Sequence, residues 1–464
     1  DGIRDKLVPG VQTCALPISA SPISTSNAAR TNHAFLDDIA HRAVPNGTPD
    51  PDTTVGNTPA PGTYDDELLN AHFITGDGRG NENIGLTAIH TIMHEEHNRL
   101  VDQIKSVVTA NPGSFAANDW FVGTGVWNGE RLFQASRFVM EMEYQHLVFE
   151  QFVRFVQPQV PAFGTYDPTI NPAITSEFAN AVYRYGHSQL NATIDRTLAN
   201  GNDAGLPLLT AFLSPQRFND NGTGPGTLTG AEAAGAIVRG MTKQVGNEID
   251  EFMTDTLRNS LVGLPLDLAA INMTRARDGG TASLNSARRS YYGLTSDPTL
   301  APYASWSDFS FSMRHPESLV NFIAAYGTHP TITAATTVAA KRAAAQLIVG
   351  LDGSVPDAGS FLAGTGAWAD VNGLSTTGVE DIDLWVGGLA EARTPFAGML
   401  GSTFNHVFQK QMESLQDGDR FYYLGRLAGL NLLTQIEPNF LSEIVLRNTD
   451  LVALPADPFA YPTY

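Results

Sequence analysis

The chain has 464 residues, a net charge of −20, and 42% hydrophobic and 9% aromatic residues. That length and apolar content can bury a large core, while the acidic balance excludes the basic footprint of a nucleic-acid binder and disfavours docking on anionic lipid. No apolar run approaches the ~20 residues that a bilayer-spanning helix needs, and the single cysteine, Cys14, excludes an intrachain disulfide and any cysteine-rich zinc site.

In chain order, "VQTCALPI" (residues 11–18) reads as a translated sequencing adapter, whose closing codons spell Ala-Leu-Pro-Ile. Residues 1–18 are therefore expected to be foreign, with native sequence running from about Ser19 and the native start missing. On that reading Cys14 is not biological, and the absence of a signal peptide says nothing of localisation. Residues 45–64, rich in Pro, Gly, Thr and Asp, predict an irregular loop. "FITGDGRGNEN" (73–83) is a glycine-rich loop holding Asp77, Arg79 and Glu82; it lacks the Gly-Lys-Ser/Thr of a phosphate-binding P-loop. From Leu86 to Val108 the apolar stripe Leu86, Ile89, Met93 and Leu100 predicts a helix.

That helix carries His90, His94 and His97, which share one side at helical spacing. His94-Glu95-Glu96-His97 is one residue short of the zincin His-Glu-x-x-His, and no second helix offers the Glu-x-x-His partner of a di-iron bundle. A packing helix is thus favoured over a metal site. Further helices are predicted over 129–156, 175–197, 230–259 and 334–350, with a surface loop over 201–230. Strand-like alternation is scarce and no fixed-period repeat occurs. The fold class is mostly α: one large helical domain, 19–464, with long loops and little β.

Two segments hold candidate chemistry. In "AVYRYGHSQL" (181–190), His187 follows Gly186 on an aromatic, apolar stretch, and spacing alone favours a buried, hydrogen-bonded histidine. "LDLAAINMTRARDGG" (266–280) sets Asn272, Arg275, Arg277 and Asp278 after an apolar run, which alone reads as a turn closing a helix or strand.

Taken together with "DIDLWVGGLAE" (381–391), "LGSTF" (400–404) and "DGDRFYY" (417–423), these segments resemble in content and order the animal-type haem peroxidases of the peroxidase–cyclooxygenase superfamily, and bacterial members most. The resemblance runs from about Asn32 to about Arg447. It implies a haem b cofactor and a hydrogen-peroxide-dependent oxidation of a small donor, a halide or a phenol, through a ferryl intermediate. His187 matches the proximal iron ligand, and Asn272 the residue whose side-chain carbonyl accepts the other imidazole N–H. Arg184 and Arg275 match positions facing the haem propionates, where planar guanidinium groups suit carboxylates. Arg79 matches the distal arginine, and Glu82 the glutamate that forms an ester with a haem methyl. Asn83 stands where a relative has a sulfonium-forming methionine. The His-rich helix is, by the same resemblance, a structural element behind the haem pocket.

The family's distal histidine, in a Gly-Gln-x-x-Asp-His-Asp stretch, has no match; His33 and His41 do not sit in that setting. The calcium ligands have no match either, so calcium is expected in the full-length protein with its site missing here. A chain lacking the distal base is expected to react slowly with peroxide. Alternatives are a fatty-acid dioxygenase of the same superfamily, which would need a tyrosine at position 184, or a noncatalytic haem-binding module. Export from the cell is the expected localisation.

Overall fold

The computed structural model describes residues 47–54, 58, 60–67, 72–73, 75, 77–112, 119–261, 264–394 and 398–459. Cys14, His33 and His41 lie outside them. The described residues fall into two compact units: 101–136, and 47–100 together with 137–459. In the smaller, Val101 and Leu132 form a core with Ile104, Trp120 and Trp127, beside a short antiparallel pairing of Phe121–Gly123 with Val126–Trp127.

Among the described residues helices dominate, as the sequence predicts, and strands reach only two or three residues. Local chemistry sets many of the helix starts. The Ile84–Ala110 helix begins where Asn83 Oδ1 accepts the Leu86 N–H at 2.9 Å, filling one of the unpaired first-turn donors. Thr229 and Glu232 form a reciprocal capping box on Gly230–Met241. Asp267 accepts from both Ala269 and Ala270, which starts the Leu268–Asp278 helix. That helix replaces the turn expected over 266–280.

Four stretches depart in detail from their predicted form. The 129–156 helix is continuous but passes from Gly129–His146 through a π-helix, Leu147–Val153, into Arg154–Val156. The 175–197 stretch is not one helix. It is Ser176–Asn180, a 3₁₀ turn Val182–Tyr185, a single turn Gly186–Gln189, and a strand Thr193–Ile194. One reason is that Trp385 Nε1 donates to the Arg184 carbonyl at 3.3 Å, drawing it off the helical ladder. The 230–259 stretch breaks after Met241 because its next residues bond elsewhere: Gln244 Nε2 to the Thr193 carbonyl at 2.9 Å and Asn247 N to the Gln189 carbonyl at 2.9 Å. The loop expected over 201–230 also holds a strand, Leu206–Pro207, and a short helix, Leu208–Ala211.

The larger unit has two apolar clusters. One gathers Trp306, Phe309, Phe361, Trp385 and Phe404; the other gathers Phe73, Ile84, Ile92, Ile237 and Ile444. By the area removed from water, burying each such side chain contributes roughly 1.5–3 kcal/mol before entropy is counted.

Candidate functional site

The segment carrying His187 is short and irregular, so neighbours must hold it. Val182 and Tyr185 are buried, Ser188 Oγ donates to the Tyr185 carbonyl at 2.8 Å, and the Trp385 indole holds the Arg184 carbonyl. This fixes the half-buried imidazole against Asn272, which lies one turn into the Asp267-capped helix and is 0% exposed.

The Asn272 side-chain amide lies 2.8 Å from His187 Nδ1. As placed, Asn272 Nδ2 faces the ring and Oδ1 is buried without a partner. A buried polar atom left unpaired costs about 1–3 kcal/mol. Amide N and O exchange by a half-turn of the side chain. In the reversed orientation Nδ1–H donates to Oδ1, and the lone pair of Nε2 is left free.

Burial, and then the charges of Arg184 and Arg275, push the His187 pKa down to about 4, so the imidazole is neutral at pH 7. Arg184 donates from Nε to the Ala179 carbonyl at 3.1 Å and lies over the Tyr183 ring at 5.4 Å. Arg275 is exposed, one turn beyond Asn272. Two cations and a neutral imidazole thus converge, and a cofactor bearing carboxylates and needing a nitrogen ligand fits that set.

Arg277, two residues beyond Arg275, has a different task. It forms a bidentate pair with Asp383, Nε to Oδ1 at 2.8 Å and Nη2 to Oδ2 at 2.6 Å, and Tyr326 donates to the same carboxylate at 2.6 Å. Asp383, Trp385 and Tyr326 carried no assignment from the sequence. Asp383 and Trp385 did lie inside "DIDLWVGGLAE", and their long-range contacts explain why that stretch accompanies "RARDGG" and "VYRYGHS".

The other motifs close the same frame. Glu391 accepts from Arg288 Nη1 at 2.8 Å, Thr403 Oγ1 at 2.6 Å and Tyr303 Oη at 2.9 Å, tying "GLAE" to "GSTF". A Cβ on Gly388 would sit 2.2 Å from the Phe404 ring, so the helix Leu384–Ala390 approaches only with glycine there. In "DGDRFYY", Asp419 accepts from Gln145 Nε2 at 3.0 Å, and Tyr422 and Tyr423 are buried.

Arg79 sits in the 3₁₀ turn Gly78–Asn81 with its side chain 75% exposed. Asp77 grips it through Nη2 at 2.5 Å and Nε at 3.0 Å, and that pairing lowers the Asp77 carboxyl to about 2. The Arg79 pKa is raised first by Asp77, with a smaller contribution from Tyr183, beside the His187 segment. Glu82 is exposed, and its carbonyl accepts the Leu213 N–H at 2.9 Å. Asn83 is the cap of the next helix. On that helix the His90 and His94 rings are 6.4 Å apart and edge-on, and burial lowers His94 to about 4.

With this geometry in place, comparison with known proteins is direct. The family model "Animal haem peroxidase" matches residues 41–350 and 376–459, and the chain belongs to that family. Peroxidasin homolog pxn-2 of Caenorhabditis elegans is 27% identical over 400 residues, covering 84% of this chain and 24% of that protein. Peroxinectin A of Dictyostelium discoideum is 27% identical over 383 residues, covering 81% and 55%. Peroxidase A from Dictyostelium discoideum is similar in fold, with a TM-score of 0.58 at 23% identity, covering 92% of this chain and 66% of that one. The chain thus spans from a quarter to just over half of these two curated relatives.

Proposed function

We propose that the protein is a haem peroxidase that oxidises a small donor, a halide or a phenol, at the expense of hydrogen peroxide. The observation that carries this is the buried His187–Asn272 pair, whose 2.8 Å contact at Nδ1 leaves the other ring nitrogen for a ligand. Haem, when bound, supplies the iron that exchanges electrons with peroxide and donor.

The chain's own residues do the rest. His187, neutral at pH 7, offers Nε2 to the metal. Asn272, turned so that Oδ1 accepts the Nδ1 proton, holds the tautomer and makes the ring a stronger donor. Arg184 and Arg275 supply positive charge for the cofactor's carboxylates. Arg79 supplies a cation, held by Asp77, for charge that develops on a departing peroxide oxygen. Glu82 would supply the carboxylate for an ester with a cofactor methyl. The reading extends to export and to a structural calcium ion, both implied by the family resemblance. No histidine in this chain sits in the family's distal setting, so slow peroxide reduction is part of the proposal.

A dioxygenase is the weaker reading, since Arg184 stands where its radical tyrosine would be. The test is the visible spectrum of haem-loaded wild type, His187→Ala and Asn272→Leu. His187→Ala should lose the histidine-ligated Soret band and regain it with added imidazole. Asn272→Leu should keep the band but bind haem about 10–100-fold more weakly. An unchanged spectrum in His187→Ala would refute the assignment.

A further inference from the structure

A second cluster lies where the loop after the Gly230–Met241 helix meets the turn before Leu319–Tyr326. His315 Nε2 is 3.2 Å from Asp250 Oδ2 and 3.6 Å from Glu248 Oε2. All three donor atoms lie within 4.8 Å of one another. Ligands at about 2.0–2.2 Å from a tetrahedral ion are separated by roughly 3.3–3.6 Å. The observed spacings bracket that range.

Each donor is also oriented from behind. Glu248 Oε1 is held by Arg314 Nη2 at 2.7 Å, leaving Oε2 for another partner. Asp250 Oδ1 accepts the Phe252 N–H at 2.9 Å, leaving Oδ2. His315 Nδ1 is 3.5 Å from Glu317 Oε1, the carboxylate–histidine arrangement that orients metal-binding imidazoles.

The next residue after Asp250, Glu251, has both carboxylate oxygens shielded from solvent and meets the Ser318 hydroxyl. It lies within the electrostatic reach of Asp250 and His315.

We propose that Glu248, Asp250 and His315 form a binding site for a divalent transition ion of the Zn²⁺ class. One imidazole and two carboxylates suit Zn²⁺ or Mn²⁺ better than Ca²⁺ or Mg²⁺, which favour oxygen alone. Glu248 is exposed, so the remaining coordination positions face water. The loop bearing Glu248 is bonded through Asn247 N and Nδ2 to the carbonyls of Gln189 and Leu190, at 2.9 and 2.8 Å. The ion would therefore tie the 314–318 turn to the chain leaving His187. This inference is independent of the proposed function.

The test is calorimetric titration of the chelator-stripped full chain with Zn²⁺, with Ca²⁺ in parallel. We expect one Zn²⁺ per chain, bound at least tenfold more weakly by Glu248→Gln and by His315→Gln and equally well by His90→Ala, with no Ca²⁺ bound at the site. Glu248 is on the surface, so Glu248→Gln should match wild type in far-ultraviolet circular dichroism. Zinc binding that is absent, that is equal in wild type and both site variants, or that is lost in His90→Ala would overturn the proposal.

Discussion

The His187–Asn272 pair and the Glu96 network both bury polar side chains between helices, but they finish differently. Glu96, 0% exposed, accepts from Arg447 Nε and Nη2 at 2.8 Å each, from Asn448 Nδ2 at 2.6 Å and from Arg99 Nε at 3.0 Å. Both of its oxygens are spent on the protein. Asn272 instead leaves one amide atom free, beside a half-buried imidazole that keeps a ring nitrogen available. The contrast separates a cluster that locks three helices together from one arranged around a ligand. It also explains why the "EHNRL" stretch of a histidine-rich helix is structural: its glutamate is held by Arg447 and Asn448, and its arginine bonds that same glutamate.

The largest effect should come from opening the saturated network. Arg447→Ala leaves Glu96 and Glu143 without their shared cation and should cost about 3–5 kcal/mol in denaturant unfolding, the range for breaking a buried pair. A loss below 1 kcal/mol would place the network with ordinary surface pairs and dissolve the contrast.

The next effect is on pH dependence. Burial and the neighbouring Glu96 charge raise the Glu143 pKa. Burial alone would raise Glu96 too, but Arg99 and Arg447 hold its carboxyl low. Glu143 keeps a proton in the folded state that the unfolded chain releases near the ordinary carboxylate value. Its contribution is complete below that value and is lost as pH rises through the raised one. Glu96 has the opposite sign: its contribution is present above the ordinary carboxylate value and is lost as pH falls toward its lowered one. Urea midpoints measured against pH should therefore fall on both flanks, and Glu143→Gln should flatten only the alkaline side.

The smallest effect on stability should come from Arg79→Gln, since that side chain is exposed and surface ion pairs contribute little. The unfolding midpoint should not move, while peroxide-dependent donor oxidation should slow by about 100-fold. A shifted midpoint with unchanged turnover would move Arg79 from the chemistry to the scaffold.

Much of this was legible in the sequence. The 86–108 stripe predicts the Ile84–Ala110 helix almost to its ends, because a long amphipathic period outweighs local detail. The ordered motifs identify the family. What periodicity could not show was pairing across distance. Asn272 and His187 are 85 positions apart, and Arg277 and Asp383 are 106 apart. The Arg277–Asp383 pair also commits one arginine of "RARDGG" to the scaffold, leaving Arg275 as the one whose charge reaches His187. Asn83 is the converse case: the sequence marks it only as a residue lacking a thioether, and the fold uses it to cap a helix.

The π-helix at Leu147–Val153 has a consequence for how the family can vary in length. A seven-residue segment wound with one residue too many per turn, burying Leu147, Phe149 and Val153, reads as an insertion absorbed without breaking the rod. Deleting one residue there would restore ordinary winding. The turns on either side would stay in register, so Glu143 would keep its place beside the Arg447 guanidinium. Homologues lacking that extra residue should show ordinary winding there with both flanks unchanged.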